Sequence, residues 1–264
     1  MQRLEHLWSL PQAQDKPALH FGLSLPATPA PEKGWPLLCL LDGDWTWPIA
    51  LASDHPALSQ CAVLYPYYGG TPAHIRLCRA WDYTPSNTQG QAWPDPRVPE
   101  WQCGGADTFL AVLRAELTTL THTYPQLDRR RISLFGHSYA GLFVLYALMR
   151  DLAPVQHFIC ASPSLWWRAP YIWHQLDSWS GKSDSAFTLI AGCDEKWYPH
   201  AQQGSAPRQG GIATLALMQR LQSTVQPKVE HSRFITLEQA GHGQVLAQAT
   251  LAALALAQKS LSDA

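Results

Sequence analysis

Short apolar runs alternate along this chain with stretches whose apolar residues recur every three to four positions. Leu19 to Leu25 alternates apolar residues with others and predicts an opening β-strand. Leu37 to Leu41 and Ala62 to Tyr65 are continuously apolar, the pattern of strands covered on both faces. Ile132 to Phe135, Phe158 to Cys160, Phe187 to Ile190 and Arg233 to Leu237 continue the series. Between them, Asp107 to Tyr124 carries Leu110, Leu113, Leu117 and Leu120 at helical spacing. Tyr139 to Met149 is apolar nearly all round and predicts a helix buried within the fold, and Val245 to Ala257 predicts a closing Ala/Leu-rich helix. Strands alternating with helices predict an α/β fold around a mostly parallel sheet with right-handed crossovers.

Two segments break the rhythm. Pro26 to Pro36 reads as a surface connection, and residues 69–105 hold turn residues, tryptophans and arginines with little periodicity. An irregular insertion of that length inside a compact domain is usually functional. No internal repeat and no second core are visible, so one domain over residues 1–264 is expected.

Composition narrows the function classes. With 46% hydrophobic and 15% charged residues the chain has the material for a large core. A net charge of −1 offers no basic field for nucleic acid or anionic lipid, and no apolar run is long enough to span a bilayer. The opening Met1-Gln2-Arg3-Leu4-Glu5-His6 does not read as a secretory leader, so a cytoplasmic protein is expected. The six cysteines form no C-x-x-C pair, which argues against a zinc ribbon; Cys39, Cys61, Cys160 and Cys193 read as core residues, and Cys78 with Cys103 as a pair only in an exported protein. Twelve tryptophans are the outlier, seven of them in two stretches: Trp81, Trp93 and Trp101, then Trp166, Trp167, Trp173 and Trp179. They serve either core packing or an aromatic-lined cleft.

Phe135-Gly136-His137-Ser138-Tyr139-Ala140-Gly141 follows an apolar strand and opens the buried helix. That is the context of a nucleophile elbow, a strained turn that exposes a serine Oγ at the sheet edge. The strict pattern has glycine where this chain has Ala140, a difference of one methyl group. Position in the chain selects the partners, which in this arrangement follow in the order serine, acid, histidine. Gly241-His242-Gly243 lies after the last strand, making His242 the candidate base, while His137 is expected to point away from Ser138. Ala191-Gly192-Cys193-Asp194-Glu195 follows the preceding strand; the spacing favours Glu195 as acid, with Asp194 and an acid-free Ser–His dyad as alternatives. For an oxyanion hole the candidate donors are the backbone N–H of Tyr139 and that of Gly43 or Asp44 in the Leu41-Asp42-Gly43-Asp44 turn.

Taken together, Leu40-Leu41-Asp42-Gly43, Arg79 to Pro85, Gly104 to Leu110, Gly136 to Phe143, Ala161-Ser162-Pro163-Ser164 and Gly241-His242-Gly243 resemble the putative-esterase branch of the α/β hydrolases. Within that branch the chain is most similar to the ferric-siderophore esterases that open enterobactin and salmochelin. The resemblance implies an α/β-hydrolase fold and serine-ester hydrolysis of a catecholate trilactone, free or iron-loaded, with no cofactor and no resident metal. It also implies that Arg79 faces the ligand, the alternative being a structural partner of Asp82. A cleft of Trp81, Trp166 and Trp167 with arginines such as Arg79, Arg97 and Arg168 suits a bulky aromatic anion. The alternatives are a general carboxylesterase or thioesterase for small acyl groups, and a non-catalytic ligand-binding module.

Overall fold

The computed structural model describes residues 3–10, 18–198 and 211–259. Eight strands form the central sheet: β1 (Arg3–Leu10), β2 (Leu19–Pro26), β3 (Trp35–Leu40), β4 (Ala62–Tyr67), β7 (Leu127–His137), β8 (His157–Ala161), β9 (Lys182–Gly192) and β12 (Val229–Leu237), in the spatial order β1-β2-β4-β3-β7-β8-β9-β12. Two two-residue ribbons complete the strand count, β5 (Trp93–Pro94) with β6 (Gln102–Cys103) and β10 (Lys196–Trp197) with β11 (Ile212–Ala213). From β4 to β12 every pairing in the sheet is parallel; β2 runs antiparallel to β4, and β1 antiparallel to β2.

The alternation predicted from the sequence sends successive side chains into two cores. Leu37, Cys39 and Leu41 face one, and Leu38 and Leu40 the other. Helices α1 (Gly43–Ala52) and α7 (His242–Ala257) cover the second face through Trp47, Ala50, Val245, Ala249 and Ala253. The first face packs against α3 (Ala106–Thr123), α4 (Tyr139–Met149), α5 (Ala169–Ser178) and α6 (Leu215–Val225). Helix α4 is buried from Tyr139 to Leu148, as its continuous apolar composition requires.

The irregular segment contains one helix, α2 (Pro72–Asp82). Thr71 caps it by accepting a hydrogen bond from His74 N–H at 3.2 Å, and Pro72 stands at its first position, where a missing N–H costs nothing. None of the six cysteines forms a disulfide; Cys78 and Cys103 are both buried, and Cys193 is half-exposed rather than a core residue. Among the described residues no helix is long and apolar enough to cross a membrane.

Parallel order sends every β3, β7, β8, β9 and β12 C-terminus to the same edge of the sheet. Asp42, Ser138, Ser162, Glu195 and His242 all follow those ends, although 200 residues separate the first from the last.

Candidate active site

Ser138 sits between β7 and α4 with φ 61° and ψ −115°, a conformation that a non-glycine residue holds only when its surroundings force it. Two glycines make room for the turn. A Cβ on Gly136 would lie 2.4 Å from Ala140 O, and one on Gly141 would lie 2.7 Å from Ala161 O, so α4 can press against β7 and β8 only with hydrogen at both positions. The methyl of Ala140, where the strict pattern has glycine, is fully buried beside this turn. Backbone bonds hold the turn from both sides: Ser138 N–H donates to Ala161 O at 3.0 Å, and Ser164 N–H donates to Ser138 O at 3.1 Å.

His242 opens α7 rather than lying in a loop before it; Gly241 caps the helix, and Gln244 Oε1 accepts from Gly241 N–H at 3.1 Å. This entry fixes the imidazole between two partners. Its Nε2 lies 3.0 Å from Ser138 Oγ, and its Nδ1 lies 2.7 Å from Glu195 Oε2. Glu195 is only 4% exposed, and its other carboxylate oxygen accepts from Gly192 N–H at 2.7 Å and from the Ser162 hydroxyl. Burial pushes this carboxyl up, but the bonds from His242, Ser162 and Gly192 outweigh it and hold the group below the usual glutamate range. An ionised carboxylate only accepts, so His242 carries its proton on Nδ1 and Nε2 accepts from Ser138. Asp194, the alternative acid, is exposed. His137 turns inward, buried, with its ring centroid 4.6 Å from that of His242; burial, the His242 ring and Arg79 hold it well below the ordinary histidine range, hence neutral.

These groups open into a cavity of about 860 Å³. Ser138, Tyr139, Glu195 and His242 line it, as do Trp166 and Arg79 among the sequence candidates. Trp81 and Trp167 do not. Trp167 is fully buried, edge-on to Trp93 at 5.5 Å, and Trp81 packs so closely over Gly105 that a Cβ there would meet its Nε1 at 2.2 Å. Both are framework residues, because the insertion needs bulk beneath it as well as on its face. Arg168 stacks on Trp93 at 4.7 Å and donates to Pro94 O, outside the cavity wall. Sequence reasoning missed Trp101, Trp173, Arg76 and Arg220 as wall residues; Trp101 and Trp173 belong to the tryptophan clusters already conspicuous in composition, whereas the arginines carried no signal. Two arginine–tryptophan stacks stand in this wall, Arg97 over Trp166 at 3.8 Å and Arg220 over Trp173 at 3.9 Å.

Arg79 lines the cavity, but the Asp82 pairing expected as the alternative is corrected. Its partner is neither Asp82 nor open solvent: Nε and Nη2 donate to the two oxygens of Asp42 at 2.7 and 2.8 Å, and Nη2 also reaches His137 O at 3.4 Å. Arg79 is 8% exposed and Asp42 1%, so most of the charge facing the cavity is already neutralised. Asp82 instead accepts from Tyr68 OH at 2.9 Å. Gly43 and Asp44 begin α1, while the Asp44 carboxylate accepts from Tyr68 N–H and Gly69 N–H, both at 2.8 Å. Neither residue is part of the cavity wall, whereas Tyr139, at the start of α4, is. Among the described residues no group of three or more His, Cys, Asp or Glu side chains is placed to hold a metal ion.

Comparison with known proteins extends the resemblance. The ferri-bacillibactin esterase BesA of Bacillus subtilis is 31% identical over 166 residues, which cover 60% of this chain and 57% of that protein. The apo-salmochelin esterase of Escherichia coli is 30% identical over 149 residues, 54% of this chain and 45% of that one. The chain thus matches about half the length of these curated relatives. Among solved structures, the siderophore hydrolase EstA from Aspergillus nidulans has the same fold, with a TM-score of 0.72 at 21% identity over 96% of this chain and 94% of that one. The family described as Putative esterase matches residues 16–241. By that match over most of its length, the chain belongs to the putative-esterase family and has its α/β-hydrolase fold.

Proposed function

We propose that this protein is a serine esterase that hydrolyses a catecholate siderophore of the trilactone type, free or iron-loaded, through an acyl-enzyme on Ser138. The observation that carries the chemistry is the hydrogen-bonded chain from Ser138 Oγ through His242 to Glu195. In the first half-reaction Ser138 Oγ bonds to the ester carbon as its proton passes to His242 Nε2. The carbon–oxygen bond to the alcohol then breaks, and that alcohol takes the proton. Water repeats the sequence and frees Ser138. Glu195 keeps Nδ1–H oriented and stabilises the imidazolium formed in each half. The first N–H groups of a helix have no intrahelical acceptor, so Tyr139 N–H at the start of α4 is the donor we assign to the oxyanion, and Gly43 N–H or Asp44 N–H at the start of α1 is the second donor we assign, although neither residue lines the cavity.

The substrate class rests on the cavity wall together with the relatives, whose names concern siderophores. A ferric catecholate is bulky, aromatic and anionic; stacked arginine–tryptophan pairs offer it ring faces and charge in one place. A cavity of about 860 Å³ gives it room, where a small acyl ester would need only a narrow tunnel. The test is hydrolysis of purified enterobactin, free and ferric, beside p-nitrophenyl acetate. Ring opening with a higher kcat/KM on the trilactone supports the reading. Good turnover of acetate esters with none of the trilactone overturns it in favour of a general carboxylesterase.

A further inference from the structure

Ser162-Pro163-Ser164 touches both ends of the hydrogen-bonded chain. Ser162 Oγ donates to Glu195, and Ser164 Oγ lies 3.2 Å from Ser138 Oγ. Both serines are buried, at 2% and 1% exposure, so their hydroxyls need protein partners. The turn is built to present them. Ser162 has φ 40°, a left-handed conformation, and its N–H donates to Ile190 O on β9 at 2.8 Å. Ser164 N–H ties back to Ser138 O, and Trp167 N–H donates to Ser164 O at 2.9 Å. One tripeptide is thus fastened to the strand that delivers the acid and to the elbow that carries the nucleophile.

Proton bookkeeping sets the direction of the bond between the two serines. Ser138 has one hydroxyl proton, and His242 Nε2 takes it; Ser164 must therefore donate to Ser138 Oγ. We propose that Ser164 is a further catalytic residue, a second hydroxyl that donates to the nucleophilic oxygen throughout the cycle, with Ser162 as the positioning residue for the acid at the other end of the same turn. This rests on Ser138 being the nucleophile. Before attack, the Ser164 bond holds Oγ in the rotamer that faces Nε2. While the proton passes to His242 the bond steadies the charge developing on Oγ, and in the acyl-enzyme it makes Oγ a better leaving group. The Ser164 proton stays on Ser164 throughout, so no bond or charge is left unbalanced.

The test compares Ser164→Ala and Ser164→Cys with wild type, using a fluorophosphonate for attack and p-nitrophenyl acetate for the full cycle, with rates expressed per folded molecule. One lost donor bond should lower kcat about tenfold in Ser164→Ala, with a smaller effect on labelling and KM nearly unchanged. The cysteine variant, of similar volume but a weak donor, should behave like alanine; this separates donation from packing if the alanine protein folds poorly. Ser162→Ala, which removes the hydroxyl that donates to Glu195, should lower kcat at constant KM. Wild-type rates per folded molecule in both Ser164 variants overturn the proposal. Labelling that survives Ser138→Ala overturns the nucleophile assignment and this inference with it; loss of labelling there, with unaltered Ser164 variants, overturns this inference alone.

Discussion

Arg79 and Asp42 form a bidentate ion pair inside the protein, and the same guanidinium reaches the carbonyl of His137. Asp42 immediately precedes Gly43 at the start of α1, and His137 immediately precedes Ser138. Arg79 therefore clamps the two turns whose backbone N–H groups face a developing oxyanion in the proposed mechanism. Arg79→Ala leaves the Asp42 carboxylate buried without its cation, a loss of about 3–5 kcal/mol. For a protein of this size that corresponds to a fall in melting temperature of roughly 5–10 °C. Activities on acetate and catecholate esters should fall together, as parallel kcat/KM and melting measurements would establish. A selective loss on the catecholate, with stability intact, would restore Arg79 to direct ligand contact.

Arg97 is the better candidate for that contact. Its guanidinium covers Trp166 at 3.8 Å in the cavity wall, and among the described residues it forms no salt bridge. A charge-assisted contact in a partly desolvated site contributes about 1.5–3 kcal/mol. Arg97→Ala should reduce kcat/KM on a catecholate trilactone at least tenfold more than on p-nitrophenyl acetate. Equal losses would remove it from substrate recognition.

The acid is tested by charge-neutral isosteres. Glu195→Gln removes the ionised partner of His242 Nδ1 and should cost orders of magnitude in kcat, as tautomer control does in other triads. Asp194→Asn changes an exposed side chain and should cost less than twofold by the same measurement. Because the carboxyl of Glu195 is held low, its ionised form stabilises the fold above the ordinary glutamate range, and that contribution disappears as pH falls through the native value. The stability gap between wild type and Glu195→Gln should therefore close on acidification.

His157 supplies a second pH effect. It is buried between strands, bonded through Nε2 to Thr188 Oγ1 at 2.8 Å, and burial lowers it to about 4. Below the ordinary histidine value the unfolded chain binds a proton that the native state refuses, so stability falls with pH. The slope from this group alone approaches about 1.4 kcal/mol per pH unit. His157→Gln should flatten the denaturation profile between roughly pH 6.5 and 4. An unchanged profile would mean that the acid sensitivity lies in other groups, His137 first among them.

The seven strands expected from the apolar patterns all appear; where both faces are buried, as in β3, β4 and β8, a continuous apolar run leaves an unmistakable trace. β1 left no such trace: as an edge strand it exposes Leu4 and Leu7, so its alternation does not separate inside from outside. Helix α1 was hidden by Pro48 and clustered tryptophans, and α2 by its few large apolar residues within the irregular segment. For the site, chain order and flanking glycines were enough to mark Ser138, His242 and Glu195 as candidates. Side-chain direction was not legible. Trp166 and Trp167 are neighbours in sequence, yet one forms cavity wall and the other core, because successive residues in a bend point apart. The Arg79 pairing was equally hidden: Asp42 lies 37 residues away, and Asp82 offered a nearer carboxylate.

Among the described residues β12 pairs only with β9, and it stays partly exposed along much of its length, yet it is the strand that leads to His242. An outermost strand has half the lateral hydrogen bonds of an inner one, and such margins loosen before the rest of a structure does. The proposed general base is therefore moored to a border of the sheet, while Ser138 is anchored near its centre. Loosening of that border would separate them while most of the molecule remained folded. Hydrolytic competence and global foldedness are then two different properties of this chain, and the first should fade before the second.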